Sequence, residues 1–146
     1  MISNAGGRDA VNLAADANVL LSAVIGGRAR LVLNHPEVGT IFTAEPTFAE
    51  VEEYAIVLAR QKRLPLDVLL LAIAALPVTV VSPAQYAKSV PEAMRRIGRR
   101  DPDDVDLLAV ALHLQLPVWS NDKDFEGLAV DLFTTERLLR RLGIIH

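Results

Sequence analysis

The residues of this chain that could do chemistry are acids placed where short apolar runs give way to helical patterns. Asp16 follows VNLAA. Glu50 lies in PTFAEVEEY. Asp101, Asp103 and Asp104 open RDPDDVDLLAVALHL, and Asp122 and Asp124 follow PVWS in SNDKDF. Each has an ordinary explanation. Asp101 is a good N-cap, Pro102 a good first helical residue, and Asp104 stands where a capping box puts its acid. Thr47 and Glu50 have capping-box spacing, Asp122 suits an Asx-turn, and Asp16 can cap the helix behind it. Such caps are worth about 1 kcal/mol each. Convergence has a different consequence. Two carboxylates roughly 4 Å apart repel by about 4 kcal/mol at an effective dielectric near 20. Either several are protonated or a cation neutralises them. The chain has no cysteine, and His35, His113 and His146 are not placed to act. An oxygen-only donor set favours a hard ion, Mg²⁺ or Mn²⁺, over zinc. A hydrated divalent ion in an acidic pocket is the usual equipment for hydrolysing phosphodiesters, because it lowers the pKa of a water and neutralises the phosphate.

Direction around the helices separates the acids. At 100° per residue, Asp104 shares a face with Leu107, Leu108, Ala111 and Gln115, whereas Asp106 points about 160° away. Asp104 therefore heads the buried stripe, and Asp103 and Asp106 are expected in solvent. Glu50 lines up with Glu53, Tyr54 and Val57, and Glu52 points away.

The elements that must position these acids alternate in kind. Val11–Ala15, Thr40–Ala44, Val78–Val81, Pro117–Ser120 and Val130–Phe133 read as strands, apolar almost throughout. Between and after them, helical patterns cover Ala17–Ile25, Ala29–Asn34, Thr47–Gln61, Leu66–Leu76, Pro83–Lys88, Pro91–Gly98, Pro102–Gln115 and Thr135–Leu142. This predicts an α/β fold, a three-layer α/β/α sandwich around a mostly parallel sheet of four or five strands. In such a sheet every strand-to-helix junction lies at the carboxyl edge, where ligands bind. Trp119, inside an apolar strand, is expected in the core.

Composition sets the outer bounds. The 146 residues fit a single domain, with its core between about residues 12 and 142 and a flexible segment over residues 1–10. Hydrophobic residues make up 51% of the chain, enough for one core and no sign of disorder. Val68–Val81 is too short and interrupted to span a membrane, and the polar N-terminus lacks a signal-peptide core, so a cytoplasmic location is expected. The net charge of −3 argues against a generally basic nucleic-acid coat but leaves room for local patches. Arg95, Arg96, Arg99 and Arg100 form one, and Arg137, Arg140 and Arg141 another; either is a solvated helix face or a grip on phosphates. LDVLLLAIAAL is nearly all apolar, so it is either deeply buried or a dimer surface.

At its acidic junctions the chain resembles the PIN domain, a compact α/β/α family of Mg²⁺/Mn²⁺-dependent nucleases that includes the ribonuclease toxins of toxin–antitoxin pairs. The resemblance runs from Asn12 to Leu142. AADANVLLSAVIG supplies Asp16 and Asn18, PTFAEVEEY supplies Glu50, and the helix that precedes Pro117 opens with Asp104. SNDKDF supplies Ser120, Asp122 and Asp124. Asp101 competes with Asp104 as the third acid, and Asp124 with Asp122 as the fourth. The resemblance implies that Asp16, Glu50, Asp104 and Asp122 bind one or two Mg²⁺ or Mn²⁺ ions, with Asp101 and Asp124 as further ligands. Asn18 and Ser120 would support those carboxylates, and Arg95, Arg96, Arg99 and Arg100 would hold RNA. It also implies RNA hydrolysis, a small antitoxin as partner and a homodimer. A DNA nuclease with the same site and a non-catalytic PIN-like interaction module are the alternatives. A haloacid-dehalogenase-type phosphatase fits poorly, because Asn18 stands where that chemistry needs a second aspartate.

Overall fold

The computed structural model describes residues 10–146, so the expectations for the N-terminal segment, its flexibility and its lack of a leader, lie almost wholly outside the described residues. In chain order the elements are β1 (Val11–Ala15), α1 (Ala17–Val24), α2 (Ala29–Leu33), β2 (Val38–Ala44), α3 (Glu45–Lys62), α4 (Leu66–Ala74) and β3 (Val78–Val81). They continue with α5 (Pro83–Tyr86), α6 (Val90–Ile97), α7 (Val105–Leu114), β4 (Val118–Trp119), β5 (Leu132–Phe133) and α8 (Thr135–Arg141).

The five strands form one parallel sheet in the order β3-β2-β1-β4-β5. Alternation along the strands serves both faces. Leu13, Ala15 and Trp119 pack with α1, α2, α3, α4 and α8, while Ala14 and Val118 pack with α5, α6 and α7. The result is the expected three-layer α/β/α sandwich. From β1 the chain steps outward through β2 to β3 with its helices on one face. It then returns to β4 by way of α5, α6 and α7 on the other. The reversal falls between β1 and β4, which makes the carboxyl ends of those two strands the natural crevice of the sheet.

Several boundaries differ from the sequence expectation, each for a local reason. β2 begins two residues early, at Val38, because it pairs with Val11. α3 begins at Glu45 directly after β2, with Pro46 in its first turn and no side-chain cap. The Thr47–Glu50 capping box therefore does not form; Thr47 lies inside the helix, buried, with an unpartnered hydroxyl. The segment after Asp101 opens as a 3-10 turn, Pro102–Asp104, before becoming α-helical at Val105. In α4, Leu69 and Ile73 are buried but Val68 and Leu71 remain 56% and 71% exposed, so this helix has an inner and an outer apolar face. No helix among the described residues is long and apolar enough to cross a membrane.

Candidate functional site

Asp16 ends β1 and starts α1. It is 4% exposed. Its Oδ1 accepts the Val19 N–H at 3.0 Å, so it caps α1 as its position predicts. Its Oδ2 accepts the hydroxyl of Ser120, a fully buried residue just past β4. The same Ser120 Oγ accepts the Asp122 N–H at 2.9 Å. One hydroxyl therefore links the carboxyl ends of the two central strands and sets the direction of the Asp122 loop. Asp122 Oδ1 accepts the Asp124 N–H at 2.9 Å, the expected Asx-turn.

The other acids arrive from two further junctions. Asp101 caps its 3-10 turn by accepting the Asp103 N–H at 3.0 Å, and Asp104 closes that turn at the start of α7. Glu50 stands one turn into α3, and the Tyr54 hydroxyl, four residues on, donates to it at 3.3 Å. A cleft of about 70 Å³ is lined by Asp16, Ala17, Asn18, Glu50, Tyr54, Asp101, Asp103, Asp104 and Asp122. Six of these are carboxylates and none is basic. On one side, oxygens of Asp101, Asp122 and Asp124 lie within 4.8 Å of one another. The structure thus brings Asp16, Glu50, Asp104 and Asp122 together, and adds Asp101 and Asp124 beside them. Asp103 is exposed, as expected, but on the rim of the cleft.

Crowding has the electrostatic effect that Coulomb's law requires. Burial pushes the Asp16 carboxyl up to about 6 against hydrogen bonds from the Ser120 hydroxyl and the Val19 and Asn18 N–H groups, and the Asp122 charge adds to the rise. Asp104 rises to about 8, through burial first, then Asp101 beside it, then Asp16 and Asp122. Burial also raises Glu50, the Tyr54 hydroxyl opposes the rise, and the Asp103 and Asp101 charges reinforce it. Asp104 Oδ2 is buried and has no hydrogen-bond partner among the described residues. A buried carboxylate oxygen without a donor is unstable unless it is protonated or meets a cation. A cleft lined chiefly by carboxylates and open to water suits a hard divalent ion.

The structure places two other expectations differently. Asp106 does not face solvent freely. Its Oδ1 accepts the hydroxyl of the fully buried Tyr86 at 2.6 Å. The helical wheel of α7 could not show that α5 packs against that face. The arginine cluster is partly engaged with the protein's own backbone. Arg100 Nη1 donates to the carbonyls of Asp124 (3.1 Å) and Glu126 (2.9 Å), and Arg96 Nη1 to Leu128 (2.9 Å) and Ala129 (3.3 Å). Arg95 and Arg96 both pair with Glu92. These arginines pin the loop that carries Asp122 and Asp124, which motif spacing alone did not suggest. Arg95, Arg96 and Arg100 also line a cavity of about 330 Å³ against Gly127–Ala129, and Arg99 is exposed. Trp119 is fully buried and donates through Nε1 to Thr135 Oγ1 at 3.0 Å, as a core residue should.

Comparison with known proteins adds the lineage. Among solved structures, PAE2754 from Pyrobaculum aerophilum is similar over 96% of this chain and 100% of its own, with 19% identity and a TM-score of 0.69. VapBC2 from Rickettsia felis, solved bound to a DNA fragment from its promoter, is similar over 85% of this chain and 98% of its own, with 12% identity and a TM-score of 0.60. FitAcB from Neisseria gonorrhoeae is similar over 86% and 99%, with 18% identity and a TM-score of 0.51. At these identities the likeness is one of fold. No curated protein matches the sequence. The profile of the PIN domain matches residues 15–143, which takes in every junction of the acidic cleft, and the chain belongs to the PIN domain family.

Proposed function

We propose that this PIN domain is a divalent-metal-dependent ribonuclease that hydrolyses RNA phosphodiester bonds in the cleft between β1 and β4. One observation carries the reading: six carboxylates and no base line a single cleft, and one buried oxygen there, Asp104 Oδ2, has no partner among the described residues. Membership of a nuclease family supports it. Asp16, Glu50, Asp104 and Asp122 would hold one or two Mg²⁺ or Mn²⁺ ions, with Asp101 and Asp124 as flanking ligands. Bound there, the ion supplies charge neutralisation of the scissile phosphate and acidifies a water. Ser120 fixes the Asp16 carboxylate and the Asp122 backbone relative to each other. Asn18 stands at the mouth, able to orient ligands or substrate. Arg95, Arg96, Arg99 and Arg100, in the segment that leads into Asp101, would attract the RNA backbone.

The exposed apolar face of α4 supports a homodimer, and the fold shared with VapBC2 and FitAcB supports a small antitoxin partner in a cytoplasmic toxin–antitoxin pair. The test is one nuclease assay on RNA and single-stranded DNA with Mg²⁺, Mn²⁺ or EDTA, using wild type, Asp16→Asn and Asp104→Asn. Metal-dependent cleavage of RNA that both substitutions reduce by at least about a hundredfold is expected. Equal activity in the variants refutes the site. Preference for DNA makes it a DNA nuclease, and inactivity with every metal makes it an interaction module.

A further inference from the structure

The acidic cleft opens on one side into a groove of opposite character. Asn18, Leu21, Tyr54, Val57 and Leu58 line a space of about 270 Å³ between α1 and α3. It contains no charged side chain, and its one amide is Asn18. Asn18 and Tyr54 line the acidic cleft as well, so the two spaces share a wall. Tyr54 is 39% exposed and Val57 49%, at a place where an unliganded surface would gain from being polar. The hydroxyl of Tyr54 donates to Glu50, so the ring is held from the cleft side and its apolar body is presented to the groove.

A strand of RNA has the same division of character. Its phosphates are anionic and its bases are flat, neutral and weakly hydrated on their faces. Single-stranded bases are bound by stacking on aromatic rings and by amide contacts to their edges. With a phosphodiester at the acidic cleft, an adjacent base reaches the neighbouring space. Asn18 offers both a donor and an acceptor to a base edge. The wall that the groove shares with the acidic cleft favours a nucleic-acid occupant over a second protein.

We propose that the groove between α1 and α3 is a nucleobase subsite, with Tyr54 as its stacking platform and Asn18 as its edge-reading amide. The subsite sets which nucleotide lies beside the bond that is cut. This inference rests on the ribonuclease reading of the acidic cleft.

The test uses the full-length protein with Mn²⁺ and a short oligoribonucleotide whose positions are made abasic one at a time. At one position next to the cut, the abasic change lowers kcat/KM of the wild type by about tenfold, the loss of one stacked base. For Tyr54→Leu the intact and abasic substrates are cut alike. Tyr54→Phe keeps the ring and loses the bond to Glu50, and it retains that discrimination whatever happens to kcat. 2-Aminopurine placed at the same position is quenched on binding to wild type and Tyr54→Phe, and not to Tyr54→Leu. Circular dichroism confirms that the variants are folded. If RNA is cleaved but no abasic position matters, the subsite is refuted and the nuclease reading stands. Equal loss in Phe and Leu without discrimination means that Tyr54 acts only through Glu50, which also refutes it. A change of sedimentation in Tyr54→Leu with cleavage unaltered assigns the groove to a second copy and overturns the proposal. If wild type cleaves no RNA with any metal, both readings fall together.

Discussion

Replacing Asp16 by Asn should stabilise the metal-free protein at alkaline pH and not in acid. The argument is one of linkage. Asp16 is almost fully buried, and its carboxyl is raised from the ordinary 3.8 to about 6. Between those values the folded chain keeps a proton that the unfolded chain has released. Folding stability therefore falls as pH rises. The contribution is fully present below about pH 4 and gone above about pH 6. At about 1.4 kcal/mol for each tenfold change in proton affinity, the loss is about 3 kcal/mol. The half-buried Asp104, raised to about 8, continues the decline to higher pH with a smaller weight, because solvent screens it. The asparagine side chain in the variant would have the same shape and would still accept the Val19 N–H, but it carries no charge to bury. Its amide meets Ser120 less well than the carboxylate does, which returns about 1 kcal/mol. The variant should therefore be more stable than wild type by about 2 kcal/mol at about pH 8 in EDTA, and no more stable at about pH 4. For a chain of this size that is a rise in Tm of about 4–8 °C. Trp119, the single tryptophan and fully buried, reports unfolding by its fluorescence during thermal ramps from about pH 4 to 8. Millimolar Mn²⁺ should reverse the order at the alkaline end, since saturation roughly a hundredfold above Kd adds about 2.7 kcal/mol to wild type. A wild-type Tm that does not fall across this pH range, or an Asp16→Asn protein that is equally destabilised throughout, would refute the reasoning.

Four further outcomes follow from single contacts. Ser120→Ala removes a buried donor to Asp16 and an acceptor for the Asp122 N–H; urea melts should show a loss of about 2 kcal/mol, and the fall in stability with pH should extend above about pH 6, because Ser120 is what holds the Asp16 carboxyl down. Arg100→Gln frees the carbonyls of Asp124 and Glu126, so hydrogen exchange over residues 123–127 should quicken and metal affinity weaken, with global stability changed by less than about 1 kcal/mol. Tyr86→Phe breaks the bond to Asp106 and should cost about 2 kcal/mol in denaturant melts, with metal affinity unchanged. Gln115→Gly relieves a non-glycine residue in the left-handed region at the end of α7, φ 56°, and should raise stability by about 0.5–1 kcal/mol in the same melts.

The layer order and the meeting of the acids are legible in the sequence because both follow from local pattern. Strands that are apolar almost throughout must be covered on both faces, and a parallel sheet gathers its strand ends on one edge. Local pattern therefore gathers the junctions of Asp16, Glu50, Asp104 and Asp122 at one edge of the sheet. What is not legible depends on pairs remote in sequence. Asp106 looks solvent-bound because its own helix says nothing of Tyr86, 20 residues earlier. The arginines look free because the carbonyls they hold lie 24–33 residues downstream, in a loop with no regular pattern. The start of α3 is misplaced because a Thr-x-x-Glu spacing outweighs Pro46, which marks the first turn correctly.

Capping and ion binding share the same carboxylates here, and this explains how the fold orients a set of acids whose meeting electrostatics opposes. Asp16 caps α1 through Oδ1 while Oδ2 turns to Ser120, and Asp101 and Asp122 each cap a 3-10 turn through one oxygen. A carboxylate has two oxygens and about four lone-pair directions. One oxygen satisfies backbone N–H groups that would otherwise be orphaned, and the rest remain for a cation. Each cap is worth about 1 kcal/mol, less than the roughly 4 kcal/mol of repulsion between two close carboxylates at an effective dielectric near 20. The caps therefore orient the acids without offsetting their repulsion. Asp104 is the exception that decides the matter. It makes no cap, its Oδ2 is buried without a partner among the described residues, and its carboxyl is raised to about 8, where that of Asp16 reaches about 6. At neutral pH it keeps its proton until something more strongly attracted than a proton arrives. Ion binding should then release protons, in a number that falls as pH rises through about 8. Calorimetry of Mn²⁺ binding in buffers of different ionisation enthalpy measures that number. Proton release that is absent at about pH 7 would show that Asp104 is already ionised there, and release that survives in full at about pH 9.5 would show that the proton comes from another group; either result refutes Asp104 as the source.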